Sequence, residues 1–263
     1  MPTRIIRAVS AAAALTVAGA VATVSFASDA QEAAPRAQTP AKAAVGQVAL
    51  IQAVPQVQLT VTVDGQPVRK DVAEGTVVGP LELAVGSHQV SFTDGKQTID
   101  STVDVSAGQA SDVVVHRPAE VGGQPVVSVY PTPSDPIDPG KARVLLAHTA
   151  TTAPADVVVD GQTVFTNIAN GEFAQADVAA GAHVVSLLPA GIKADPILGP
   201  LDVDLEPGTI TAVYAVGNPK DGSMNVITRT TGGTASASQA PSQIDTGSAG
   251  LVDRVRVWTF SGR

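Results

Sequence analysis

Val61-Thr62-Val63-Asp64-Gly65-Gln66-Pro67-Val68 recurs as Val157-Val158-Val159-Asp160-Gly161-Gln162-Thr163-Val164, a shift of 96 residues. Each copy reads as a strand, a two-residue turn and the start of a second strand. Asp-Gly is a strong hairpin signal because a primed turn needs positive φ at both central residues, a conformation that Gly adopts freely and Asp tolerates. Two more segments repeat in the same order. Val85-Gly86-Ser87-His88-Gln89-Val90 answers to Ala180-Gly181-Ala182-His183-Val184-Val185, and Val103-Asp104-Val105-Ser106-Ala107-Gly108 to Val203-Asp204-Leu205-Glu206-Pro207-Gly208, with shifts of 95 and 100. Three matched segments with small drifts between them mark a tandem duplication.

Around these anchors apolar residues alternate with period two, as half-buried strands require. Leu59, Val61 and Val63 stand against Thr60 and Thr62, and Val203 and Leu205 against Asp202 and Asp204. With turns every ~8–12 residues, about seven short strands per copy are expected. The chain is therefore expected to be all-β: two tandem antiparallel β-sandwich domains of immunoglobulin or transthyretin type, at 47–130 and 141–229. The stretch from Tyr130 to Gly140 holds four prolines in eleven residues, so 131–140 is expected to be a stiff, extended linker. Residues 230–263, rich in Ser, Thr, Gly and Ala, read as a low-complexity tail.

The N-terminus carries Arg4 and Arg7, an uncharged Ala/Val-rich stretch from Ala8 to Ala27, and the small-residue exit Ser25-Phe26-Ala27. That pattern is a signal peptide over 1–27, followed by a flexible leader over 28–46. Export to the cell surface or beyond follows, with no stable membrane span left after cleavage. The chain has no Cys, which excludes disulfides, Cys-ligated metal sites, a thiol nucleophile and lipoprotein acylation. Its 263 residues carry 16 Lys and Arg against 24 Asp and Glu, a net charge of −8, so the basic footprint of a nucleic-acid binder is absent.

The run Ala142-Arg143-Val144-Leu145-Leu146-Ala147-His148, then Ala153-Pro154-Ala155-Asp156-Val157-Val158-Val159-Asp160-Gly161 and Ala180-Gly181-Ala182-His183, resembles the bacterial domain-of-unknown-function family 4397. The resemblance implies secreted or surface-attached β-sandwich modules, often in tandem, and carries no established activity. It singles out His148, Pro154, Asp160, Gly161, Gly181 and His183 as family-motif residues whose role it does not define. The second copy, about 140–229, follows the pattern well, although Thr149-Ala150-Thr151-Thr152 replaces the family's Ser-Pro-Asp stretch. The first copy, 46–130, follows it loosely, with Gln52 in place of the His and only Pro55 retained.

Candidate chemistry is sparse. Ile244-Asp245-Thr246-Gly247-Ser248 looks like an aspartic-protease signature, but that chemistry needs two carboxylates sharing a proton, and no second Asp-Thr-Gly or Asp-Ser-Gly occurs. Gln243 to Gly247 resembles a wall-sorting pentapeptide, yet Asp253, Arg254 and Arg256 interrupt the apolar span that sorting requires. Val255 and Val257 alternate with those arginines and suit an added edge strand. His88 and His183 share the parity of core residues and are expected to be hydrogen-bonded structural imidazoles. His148 has no evident second metal ligand nearby, and His116, before Arg117-Pro118, is expected at the surface. Asp135 and Asp138 with Asp202 and Asp204 would offer oxygen ligands to Ca²⁺, although alternating Asp on a strand points to water. No catalytic site, cofactor or metal is assigned.

The function expected from these readings is a non-catalytic secreted or cell-envelope module that is structural or binds protein. Its expected partner is an envelope or extracellular protein, with no nucleic acid. The alternative is a carbohydrate-binding module of the cell wall or of extracellular glycans. Sugar platforms rely on exposed aromatics, and one Trp, two Tyr and five Phe supply few.

Overall fold

The computed structural model describes residues 43–233. The signal-peptide reading and the tail beyond residue 233, including Asp245 and the alternating valines, lie outside the described residues; Thr230, Thr231 and Gly232, read as tail, instead end the last strand, and Val45 and Gly46, read as leader, begin the first.

Sixteen strands form among the described residues, and they correspond one to one between the copies. In the first copy they are β1 (Val45–Ala53), β2 (Leu59–Val63), β3 (Gln66–Val72), β4 (Val77–Ala84), β5 (Gly86–Thr93), β6 (Thr98–Val105), β7 (Ala110–His116) and β8 (Val126–Pro131). In the second they are β9 (Lys141–His148), β10 (Ala155–Val159), β11 (Gln162–Ile168), β12 (Phe173–Ala179), β13 (Gly181–Pro189), β14 (Leu198–Leu205), β15 (Thr209–Val216) and β16 (Asn225–Gly232). The sheet orders are β4-β1-β7-β8 and β3-β2-β5-β6, repeated as β12-β9-β15-β16 and β11-β10-β13-β14. Neighbours are antiparallel except β1 with β7 and β9 with β15, which run parallel. The described residues are all-β, two tandem β-sandwiches of eight strands each.

Three apolar layers hold the four sheets. The first packs Val48 and Leu50 of β1 and Val113 and Val115 of β7 against Val61, Val90, Phe92 and Val103 of the facing sheet. The third packs Leu146 and Ala215 against Ala155, Val157 and Leu187 in the second copy. Between them lies a layer shared by both copies: Ile51, Ala53, Val114 and Tyr130 meet Leu145, Ala147, Ala212, Tyr214, Val216 and Ile227. The two inner sheets are thus buried on both faces. This explains why β1 is buried without interruption from Val48 to Ala53 and why β7 reads Val113-Val114-Val115: a strand covered on both sides needs a continuous apolar run, whereas an outer strand alternates. Strand β14, in an outer sheet, does alternate from Leu201 to Leu205, half-buried or buried residues taking turns with the exposed Asp202 and Asp204, and so does β12, at the edge of an inner sheet.

The proline-rich stretch is fastened to the second copy. Arg143 holds Asp177 through two bonds, Nε to Oδ1 at 2.6 Å and Nη2 to Oδ2 at 2.8 Å. Its remaining donors reach the carbonyls of Asp135 at 2.9 Å and Pro136 at 3.3 Å. Ile137 is buried.

Candidate functional site

Both Asp-Gly turns have positive φ at their two central residues: 50° and 74° at Asp64 and Gly65, 49° and 78° at Asp160 and Gly161. This is the primed geometry that matches strand twist. Held there, each Asp faces the strand opposite. Asp64 Oδ1 accepts from Gln89 N at 2.9 Å and Oδ2 lies 2.7 Å from His88 Nδ1. Asp160 repeats this with Val184 N at 2.8 Å and His183 Nδ1 at 2.7 Å. The other ring nitrogen of each His lies 2.8 Å from a carbonyl, Ala84 O and Ala179 O respectively. A carbonyl and an ionised carboxylate only accept, so it is the protonated ring that satisfies both contacts, and the geometry favours that form. The carboxylate, then the carbonyl, raise the pKa of each His. The His88 bond, then the amide of Gln89, lower Asp64; the amide of Val184, then His183, lower Asp160. Of the residues the resemblance singles out, Asp160, Gly161 and His183 therefore build one clasp between a turn and a strand, and Gly181 opens the strand that carries His183.

His148 serves a different loop. Its Nε2 donates to Ala153 O at 3.2 Å. Gln52, its counterpart, donates from Nε2 to Val57 O at 2.7 Å, and Val57 is the counterpart of Ala153. Gln52 also spans to Val54, donating to its carbonyl at 3.0 Å and accepting from its amide at 2.5 Å. His and Gln thus do the same work, bracing the loop that follows the first strand of each copy. Pro154 closes this loop by accepting from Ala190 N at 3.0 Å.

His116 overturns the expectation of surface exposure. It is fully buried because β7 lies in an inner sheet. Its Nδ1 donates to Arg117 O at 2.8 Å and its Nε2 meets Ser128 Oγ at 2.9 Å. Burial first pulls its pKa down, and the nearby His148 adds to this. Burial likewise lowers His148, whose Nδ1 has no hydrogen-bond partner. Asn170 ties the copies together here, donating from Nδ2 to Arg117 O at 3.1 Å and Ala150 O at 2.8 Å.

Sequence reasoning missed a second polar cluster in the shared layer. Asp112 on β7 is buried, accepts from Tyr214 Oη at 2.6 Å, and lies 2.8 Å from Arg229 Nη1. Burial raises the Asp112 pKa, with Tyr214 and Arg229 pulling it back. Tyr214 packs on Tyr130, ring centres 5.7 Å apart, and Tyr130 meets the edge of Phe173 at 5.6 Å. Tyr130 Oη donates to Gly171 O at 3.2 Å, and burial pushes the Tyr130 phenol up to about 12. The one available signal was an acid beside an apolar run, Asp112-Val113-Val114-Val115.

The aspartates considered for Ca²⁺ do not form a ligand set: Asp138 faces Lys141 at 3.6 Å, and Asp202 and Asp204 are exposed along β14. Among the described residues no three His, Asp or Glu side chains gather as metal ligands would. No helix there is long and apolar enough to cross a membrane.

The second sandwich also contains a cavity of about 350 Å³. Its walls are aliphatic, including Val144, Val159, Val185, Leu201, Val203 and Val213, with Phe165, while Thr211, Thr228 and Thr230 lie along one side.

Residues 46–155 match the family model described as "Domain of unknown function (DUF4397)". The matched stretch takes in β1 through β9, so it covers the first copy and enters the second. No curated protein matches the chain.

Proposed function

We propose that the protein is a non-catalytic secreted or cell-envelope module, acting as a structural spacer or by binding another protein. The carrying observation is the four-sheet stack with its shared middle layer. The polar groups within it are engaged in holding strands and loops: Asp112 with Tyr214 and Arg229, Gln52 and His148 with their loops, and Asn170 across the copies. Rigid sandwiches of this kind present loops and sheet edges to partners. The strand-for-strand correspondence supports reading both copies, about 47–130 and 141–229, as modules of one family, and the motif residues His148 and Pro154 are what favour the second as the closer to its pattern. The 1–27 stretch, read as a signal peptide, supports a location outside the cytoplasm.

The test is sedimentation of the purified chain with native cell envelopes, either intact or stripped of protein. Binding to intact envelopes alone is expected, and cross-linking would then identify the protein partner. Binding to the stripped glycan would replace this reading with the carbohydrate-binding one. Substrate turnover lost on a fold-preserving change at His148 would overturn the non-catalytic assignment.

A further inference from the structure

The two copies share strands, turns and clasps, yet their interiors differ. In the first, Val48, Val61, Val63, Val90, Val103 and Val113 are all buried, none above 6% exposed. At the matching positions of the second, Val144, Val159, Val185, Val203 and Val213 are half-buried, and only Val157 remains closed. The residues around them explain the difference. Register pairs Leu81 with Val48 and Ala176 with Val144, so Ala176 stands where the first copy has Leu81. Ala176 lines the cavity; by the same register Ala174 replaces Val78, Ala155 replaces Leu59 and Leu187 replaces Phe92 deeper in the same core, behind the wall. The first sandwich closes where β6 packs on β8, while β14 and β16 make no comparable approach. Lost volume and the parted edges leave the cavity of about 350 Å³ between the sheets.

Protein interiors are close-packed, and an unfilled apolar space loses contacts on every wall. Its size falls in the range of small-molecule sites, which are mostly apolar with a few polar groups. The polar groups of its wall define the ligand's chemistry. Threonine hydroxyls of Thr211, Thr228 and Thr230 offer hydrogen bonds on one side, Thr211 and Thr230 lying 3.4 Å apart, while His183 is already held by Asp160 and the exposed Asp202 and Asp204 alternate with the wall residues Val203 and Leu205. No Lys or Arg lines it. An anionic head group would find no free cation there. We infer that the second sandwich is a binding site for an uncharged aliphatic molecule with a hydroxyl-type polar end, and that the first sandwich is its filled, non-binding counterpart. This inference is independent of the envelope role.

Titrating the full chain with 1-decanol, followed by heat release, tests it at pH 7, with decanoate as the anionic comparison. One saturable site per chain is expected for decanol, with decanoate at least tenfold weaker. Ala176→Leu, which installs the first copy's residue, is expected to weaken decanol at least tenfold. Val203→Phe fills the opposite wall, so that a folding failure in one variant leaves the other to decide. Thermal unfolding of each variant verifies the fold. Absence of saturable decanol binding, or binding undiminished in both folded variants, overturns the site. Decanoate binding as tightly as decanol overturns the assigned ligand chemistry.

Discussion

Tyr214→Phe removes one hydroxyl from the middle of the protein and keeps the ring that packs on Tyr130. The hydroxyl donates to Asp112 Oδ2 at 2.6 Å, and Asp112 is 3% exposed. A hydrogen bond to a charged group contributes about 1.5–3 kcal/mol. After the change the buried carboxylate keeps only its ion pair with Arg229, so a loss of about 2–3 kcal/mol is expected at pH 7. For a unit of this size that corresponds to a fall in Tm of about 5–10 °C. The pH dependence supplies a sharper test. Burial holds the folded pKa of Asp112 above its ordinary value, so its ionised form subtracts stability at neutral pH, and the deficit fades as pH falls through the folded value. Removing the donor pushes that value further up. The gap between variant and wild type is therefore widest near neutrality and contracts in acid to that of a neutral hydrogen bond, about 0.5–1.5 kcal/mol. Denaturant unfolding of both proteins at pH 7 and pH 4 measures it. A loss below about 0.5 kcal/mol at pH 7, or one that widens in acid, would refute the reasoning.

The paired clasps set an opposite pH window. The raised pKa of His88 and His183 adds stability below their ordinary value near 6.5, lost as pH rises through the folded value. The lowered pKa of Asp64 and Asp160 adds stability above about 3.8, lost as pH falls through the folded value. His183→Gln is thus expected to destabilise more at pH 5 than at pH 8, read by thermal unfolding at both. His148→Gln, which copies Gln52, is expected to lie within about 1 kcal/mol of wild type at pH 8. It should gain relative stability at pH 5, because burial lowers the His148 pKa and charging it there opposes folding. Phe92→Ala, in the closed first sandwich, should cost about 3–5 kcal/mol, and Leu201→Ala, on the half-exposed cavity wall, less than half of that. Because the middle layer belongs to both copies, calorimetry of the whole chain should show one unfolding transition; two well-separated ones would contradict the shared core.

Much of the fold was legible because turn chemistry and period-two alternation are local. Asp64-Gly65 and Asp160-Gly161 announced their hairpins, and the repeat spacing announced the second sandwich. The sheet stacking was less accessible. Alternation predicts one buried face, and it holds on β14 of an outer sheet and on β12 at the edge of an inner one. On β1, β7, β9 and β15 the apolar runs are continuous, and that continuity is the mark of burial on both faces. The error over His116 came from the same source: a His at a strand end beside Arg and Pro reads as exposed until the sheet is known to be internal.

The site residues divide along a similar line. The repeat exposed the clasp, since Asp and His recur together at 64 and 88 and at 160 and 183, but their meeting at 2.7 Å depends on the strand pairing of β2 with β5 and of β10 with β13. Asp112, Tyr214 and Arg229 come from positions up to 117 residues apart, and no local pattern couples them. The cavity was least visible, because it is a difference between copies rather than a motif. Ala176 is unremarkable alone and informative only beside Leu81, once register shows that they occupy the same place. A duplicated chain thus carries its own comparison. The residues that hold the fold, Asp, Gly and His of the clasp, recur in both copies, whereas the residues that fill the core diverge, so a function that separates the copies resides in the packing of the second sandwich rather than in its turns.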